Sequence, residues 1–175
     1  SLQQFEAWLS GVESDHIEFK EAANHFSDSD LADYVSAFAN EGGGRLVLGV
    51  RENKHHGQKK YVVCGTSVYK DTWNELSQKI LHNQGINADI QELIHPHGRI
   101  LIFHIPSHSP ARPVTSKGKY YMRAGESLVQ MDTQKLKQIL NEADPDFSAQ
   151  SVDGLAIEAL DDGAIRILRN FCSQK

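Results

Sequence analysis

The stretch Ser27–Val50, "SDSDLADYVSAFANEGGGRLVLGV", decides the fold. In its first half Leu31, Tyr34, Val35 and Phe38 recur at helical spacing and form one apolar stripe. Serine and aspartate at its start suit a helix N-terminus, where their oxygens accept from free backbone N–H groups. Gly42, Gly43 and Gly44 end the helix. "RLVLGV" then reads as a short buried strand. Glycines that cradle phosphate follow a strand and open a helix, so that the positive dipole end meets the anion. Here the order is reversed, which excludes a phosphate loop and leaves a helix stop with tight entry into a strand.

Upstream, "LQQFEAWLSG" places Leu2, Phe5 and Leu9 on one helical face, with Gly11 at its end. "HIEFKEA" alternates: Ile17 and Phe19 point one way, His16, Glu18 and Lys20 the other. Downstream, "YVVCGT" is the expected hairpin partner of "RLVLGV" across a basic loop. "KDTWNELSQKILHNQG" is a helix with Trp73, Leu76 and Ile80 facing inward. "ADIQELI" and "RILIFHIP" pair around the turn "HPHG", and the second, apolar on both faces, is central. "PARPVTSKG" is a loop, "KYYMRAG" a strand and "DTQKLKQILNEA" a capped helix. The order predicts an α+β fold, a mixed, mostly antiparallel sheet with flanking helices. That domain is expected over residues 1–143. Residues 144–175 read as a linker and a short helix, with Ile165, Leu168 and Phe171 on one face, leading toward a further domain.

Length and composition fit one globular domain with its own core. No apolar run nears the roughly 18 residues that a membrane span needs, and the amino end reads as an amphipathic helix rather than a signal peptide. Cys64 and Cys172 lack metal spacing and read as reduced thiols, so a cytoplasmic location is expected. Of the nine histidines, the pairs His55–His56 and His95–His97 fall in turns and read as surface residues, and His104 as a partly buried strand residue. The net charge of −5 argues against a chain that is basic all round, so any nucleic-acid contact must come from a local patch. Two stretches offer one: Arg51, Lys54, Lys59 and Lys60, then Arg112, Lys117, Lys119 and Arg123.

Glu18 and Lys20 share a strand face, and Glu13 reaches it if the chain bends at Ser14–Asp15. Carboxylates so placed can hold Mg²⁺ or Mn²⁺ against a phosphodiester, with a lysine stabilising the developing charge. Without further context the pair reads as a solvated strand edge, worth about 0.2–1 kcal/mol.

Together, "ESDHIEFKEA", "LADYVSAFANEGGGRLVLGV", "RILIFHIPSHSPARPV" and "KYYMRAGES" resemble the Schlafen-type AlbA-like domain, from about Glu13 to about Ala143. The resemblance implies either of two functions. Bacterial members are described as DNA-binding modules of transcriptional regulators or helicase-related proteins. Vertebrate relatives include metal-dependent endoribonucleases whose paired glutamates match Glu13 and Glu18. The third acid of those enzymes falls here on Arg51, with Glu52 one residue on. A turn at Arg51 would bring Glu52 in as a ligand, whereas a continuing strand would turn it away. The expectation is therefore a nucleic-acid-binding domain, of DNA or RNA, with the eight cations above on phosphates. The alternative is a nuclease using Glu13, Glu18 and Lys20, with Glu13, Glu18 and Glu52 on Mg²⁺ or Mn²⁺. A third reading is a protein-interaction domain that forms a homo-oligomer.

Overall fold

In a computed structural model describing residues 2–10, 16–55, 58–125 and 127–142, Ser27–Val50 forms a helix, a turn and a strand. Helix α1 spans Leu2–Ser10 and strand β1 Ile17–Lys20. Helix α2, Asp28–Asn40, starts where the Ser27 hydroxyl accepts from the Asp30 N–H at 3.0 Å. Its stop is glycine-dependent. Gly43 sits at φ +95°, and a Cβ there would lie 2.8 Å from the Ile105 carbonyl oxygen. Strand β2, Gly44–Leu48, then runs parallel to β1, so β1, α2 and β2 make a crossover unit.

The chain does not continue β2 through Val50. Gly49, at φ +100°, ends it. A separate strand β3, Val50–His55, pairs with β4, Gln58–Val63. This corrects the expected pairing: "YVVCGT" partners "VRENKH", whereas "RLVLG" lies between β1 and a later strand. Helix α3, Trp73–Gln84, buries Leu76 and Ile80. Strands β5, Asp89–His95, and β6, Gly98–Ile105, form the expected hairpin. The main sheet has the order β1-β2-β6-β5, with β6 inside as its apolar faces require. Strands β7 (Thr115–Ser116), β8 (Lys119–Ala124) and β9 (Ser127–Gln130) make a three-stranded ribbon, and α4, Thr133–Leu140, follows an Asp132 cap.

Two cores flank the main sheet. Leu31, Val35 and Phe38 pack with Leu46, Leu48, Leu101 and Phe103 on one side. Phe5, Phe19, Val47, Tyr61, Ile100 and Ile102 pack on the other. The architecture is α+β and mostly antiparallel, with β1–β2 as the parallel exception. The compact unit holding the described residues ends at Glu142, and the linker and short helix expected over 144–175 lie outside those residues.

Candidate functional site

Residues paired across strands share a sheet face, so Glu18 and Lys20 lie with Leu46 and Leu48 on the α2 side. That face is covered, and the Glu18 side chain is only 7% exposed. Its Oε1 is 2.7 Å from Lys20 Nζ and its Oε2 is 2.7 Å from Arg123 Nη2. Arg123 comes from β8, which lies on α2. Its side chain is 3% exposed, and its guanidinium sits 5.3 Å above the Phe38 ring. Lys20 also faces the Tyr34 ring, 5.4 Å from its centroid. Burial pulls the Lys20 ammonium pKa down, but hydrogen bonds to Glu18 and Tyr34 outweigh it and hold the group above its ordinary value. Burial pushes the Tyr34 hydroxyl up, against the pull of Lys20.

The expected solvated strand edge is thus a three-residue ion cluster in which Glu18 and Arg123 are buried and Lys20 is half-exposed. The reason is tertiary: a ribbon distant in sequence delivers the second cation. The same packing removes Arg123 from the surface, so it does not present the exposed phosphate contact expected of it.

What closes the ribbon onto α2 is the "SAFAN" segment. The Ser36 hydroxyl donates to the Val114 carbonyl at 2.8 Å and accepts from the Tyr121 N–H at 3.2 Å. The Asn40 amide donates to the Val114 and Tyr121 carbonyls at 2.9 and 3.0 Å, and its oxygen accepts from the Val114 N–H at 2.8 Å. Both side chains are fully buried. Two polar residues on the apolar face of a helix were the available signal, and sequence reasoning passed over them.

Arg51 does not touch Glu18. Its Nη2 is 2.5 Å from Glu21 Oε1, and that hydrogen bond holds the exposed Glu21 carboxyl below its usual range. The strand continues through Arg51, so Glu52 stands opposite Tyr61, on the face that Phe19 and Tyr61 share, and is exposed. No turn brings it round to Glu18. Glu13 lies outside the described residues. Among those residues no group of three or more histidine, cysteine or acidic side chains is placed to hold a metal ion. Glu18 and Glu52, on opposite faces, do not together fit the expected cation.

The other cations divide. Lys54 and Lys59 stand opposite each other in the β3–β4 register, and Lys60, opposite Asn53, is exposed. Lys117 and Gly118, at φ +50° and +74°, form the two-residue turn between β7 and β8. Arg112, Lys117 and Lys119 are exposed, and Lys117 donates to the Ser29 hydroxyl. Among the described residues none of these three, nor Lys60, has a carboxylate partner.

Two histidines proved to be fasteners rather than surface or unassigned groups. The His97 N–H donates to His95 Nδ1 at 3.0 Å, which leaves the His95 Nε2–H for Glu6 of α1 at 2.7 Å. His108 Nδ1 donates to the Ala39 carbonyl at 2.9 Å, and its Nε2 meets Glu142 at 2.8 Å.

A parallel β1–α2–β2 unit in an otherwise antiparallel sheet, with a ribbon clamped to α2, makes an α+β domain. The Schlafen, AlbA_2 family matches residues 13–132, and the chain belongs to it. Two solved structures have a similar fold. One is the DIP2311 protein from Corynebacterium diphtheriae: 19% identity and a TM-score of 0.56, over 97% of this chain and 33% of that one. The chain therefore spans about a third of that protein's length. The other is the N-terminal domain of an ATP-dependent DNA helicase RecG-related protein from Nitrosomonas europaea: 24% identity and a TM-score of 0.51, over 71% of this chain and 88% of that one. No curated protein matches the chain. No helix of the described residues is long and apolar enough to cross a membrane.

Proposed function

We propose that this domain binds nucleic acid through the phosphate backbone, as the DNA-binding part of a regulatory protein. The observation that carries the reading is the set of exposed cations, Arg112, Lys117 and Lys119, within one loop and turn, with no described carboxylate to neutralise them. The β3–β4 hairpin adds the exposed Lys60, and its register sets Lys54 and Lys59 at opposed positions. Membership in the Schlafen, AlbA_2 family and the likeness to a domain of a DNA helicase-related protein support the same reading. Contacts of this kind give affinity without choice of sequence, so specificity would come from base contacts elsewhere.

A nuclease reading is weaker on this geometry. Glu18 is held by two cations, and Arg51, in the position of the third acid, is a cation itself. A divalent ion would supply Lewis-acid activation of water. The described side chains do not gather to hold one. Fluorescence polarisation with labelled duplex DNA and stem-loop RNA at low salt tests the proposal. Saturable binding of either without loss of the label supports it. No binding of either, with a stable oligomer by light scattering, would favour a protein-interaction domain, and cleavage dependent on Mg²⁺ or Mn²⁺ would favour the nuclease.

A further inference from the structure

A groove of about 690 Å³ opens at one end of the main sheet, away from the Glu18 cluster. Across its floor run three paired positions: Arg45 on β2 opposite His104 on β6, and His104 opposite Asp89 on β5. Strands are spaced about 4.8 Å apart, so Arg45 and Asp89 stand roughly 10 Å from each other with the imidazole between. The Arg45 guanidinium is stacked on Trp8 of α1, 4.9 Å from the ring centroid, and Trp8 packs edge-on against His104. Arg45 Nε is buried and has no hydrogen-bond partner, and no described carboxylate pairs with this arginine. The groove wall adds Asn87 and Gly42–Gly44.

This arrangement selects a ligand with two different ends. A half-buried arginine fixed by stacking prefers a planar or tetrahedral oxyanion that it can grip with two N–H groups. Asp89, exposed at the other end, repels a second anion and accepts from N–H donors. Burial and the neighbouring Arg45 lower the His104 pKa against the pull of Asp89, which favours the neutral imidazole, a form that can both donate and accept.

We infer that the groove is a mononucleotide site, with the phosphoryl group on Arg45 and the base edge on Asp89 and Asn87. Guanine fits best, because its Watson–Crick edge offers two adjacent N–H donors to one carboxylate. The ligand is either a free nucleoside monophosphate or the phosphorylated end of a strand. The site does not depend on the basic hairpins proposed above.

Isothermal titration of the intact chain with guanosine monophosphate, uridine monophosphate and inorganic phosphate tests this. Guanosine monophosphate should bind more tightly than the other two, and Arg45→Met should weaken it at least about tenfold, the scale of one lost charge-assisted contact. Asp89 is exposed, so Asp89→Asn should fold normally and bring guanosine and uridine monophosphate to similar affinity. A 5′-phosphorylated oligonucleotide that outcompetes its 5′-hydroxyl counterpart would assign the site to strand ends, and equal competition to the free nucleotide. Equal binding of phosphate and guanosine monophosphate, or full binding by Arg45→Met, would overturn the inference. Neither result would alter polarisation binding that runs through Lys117 and Lys119.

Discussion

Replacing Glu18 by glutamine removes one charge and almost no volume, so its effect reports the ion cluster alone. The Arg123 side chain is 3% exposed, and its Nε and Nη1 already lack partners, so the carboxylate on Nη2 is its main compensation. Uncovering one partner of a buried pair costs about 3–5 kcal/mol. The Lys20 side chain is 38% exposed and can turn to water, so only the Arg123 half of the cluster carries that cost. The lower end applies, about 3 kcal/mol. For a domain of this size each kcal/mol moves the melting midpoint by roughly 2–4 °C, so Glu18→Gln should melt about 9 °C lower. Urea unfolding of Glu18→Gln, Arg123→Met and the double variant completes a cycle. The double variant should be more stable than the sum of the single losses implies, with a coupling of about 2 kcal/mol. Because both Glu18 oxygens are engaged, millimolar Mg²⁺ or Mn²⁺ should leave the wild-type midpoint unmoved; an ion bound there would raise it. Strictly additive losses, or a Glu18→Gln protein as stable as wild type, would refute the reasoning.

Asn40→Ala strands the buried Val114 N–H and removes the bonds to the Val114 and Tyr121 carbonyls, so it should cost about 2–4 kcal/mol by urea unfolding. Amide exchange should quicken first in the ribbon. The pH dependence of stability should carry a His104 component. Its pKa is lowered from 6.5 in the folded chain, so the unfolded chain binds more protons below that pH. The stability it contributes is complete above about pH 6.5 and is lost as pH falls through the folded value. Melting midpoints measured downward from neutral pH should show this, and His104→Asn should flatten that part of the profile. Asp28 acts in the same sense at lower pH. Its hydrogen bond from Lys79 lowers its pKa, so its contribution is present above about 3.8 and is lost in acid, and Lys79→Met should remove it.

Helices α1 to α4, the β5–β6 hairpin and the central place of β6 were legible because each is written in local periodicity. The apolar stripe of α2 and the two apolar faces of β6 need no distant partner to be recognised. The ribbon's last strand, Ser127–Gln130, was missed because four residues, two half-buried between two exposed, carry no alternation. The β2–β3 break was missed because one glycine inside an apolar run looks like any other. At the site, the sequence singled out Glu18 and Lys20 correctly as neighbours but misjudged their burial. Arg123 lies more than a hundred residues further on, and nothing in "KYYMRAG" says that its arginine points inward. The same blindness hid Ser36 and Asn40, whose partners are backbone groups of Val114 and Tyr121, more than seventy residues further on.

The central claim is that nucleic acid is held by exposed cations on phosphates. Of the eight cations named from the sequence, Arg123 is buried and Arg51 is paired, whereas Lys60, Arg112, Lys117 and Lys119 are exposed and have no carboxylate partner among the described residues. If about four cations contact phosphates, duplex affinity should fall about 150-fold between roughly 50 and 200 mM salt. The direct measurement is the slope of log affinity against log salt for wild type and for the double variant Lys117→Gln, Lys119→Gln. Each lost phosphate contact lowers the slope by about 0.9, so the variant should be shallower by about 1.8 at unchanged fold. Identical slopes for the two proteins, or wild-type binding indifferent to salt, would contradict the account.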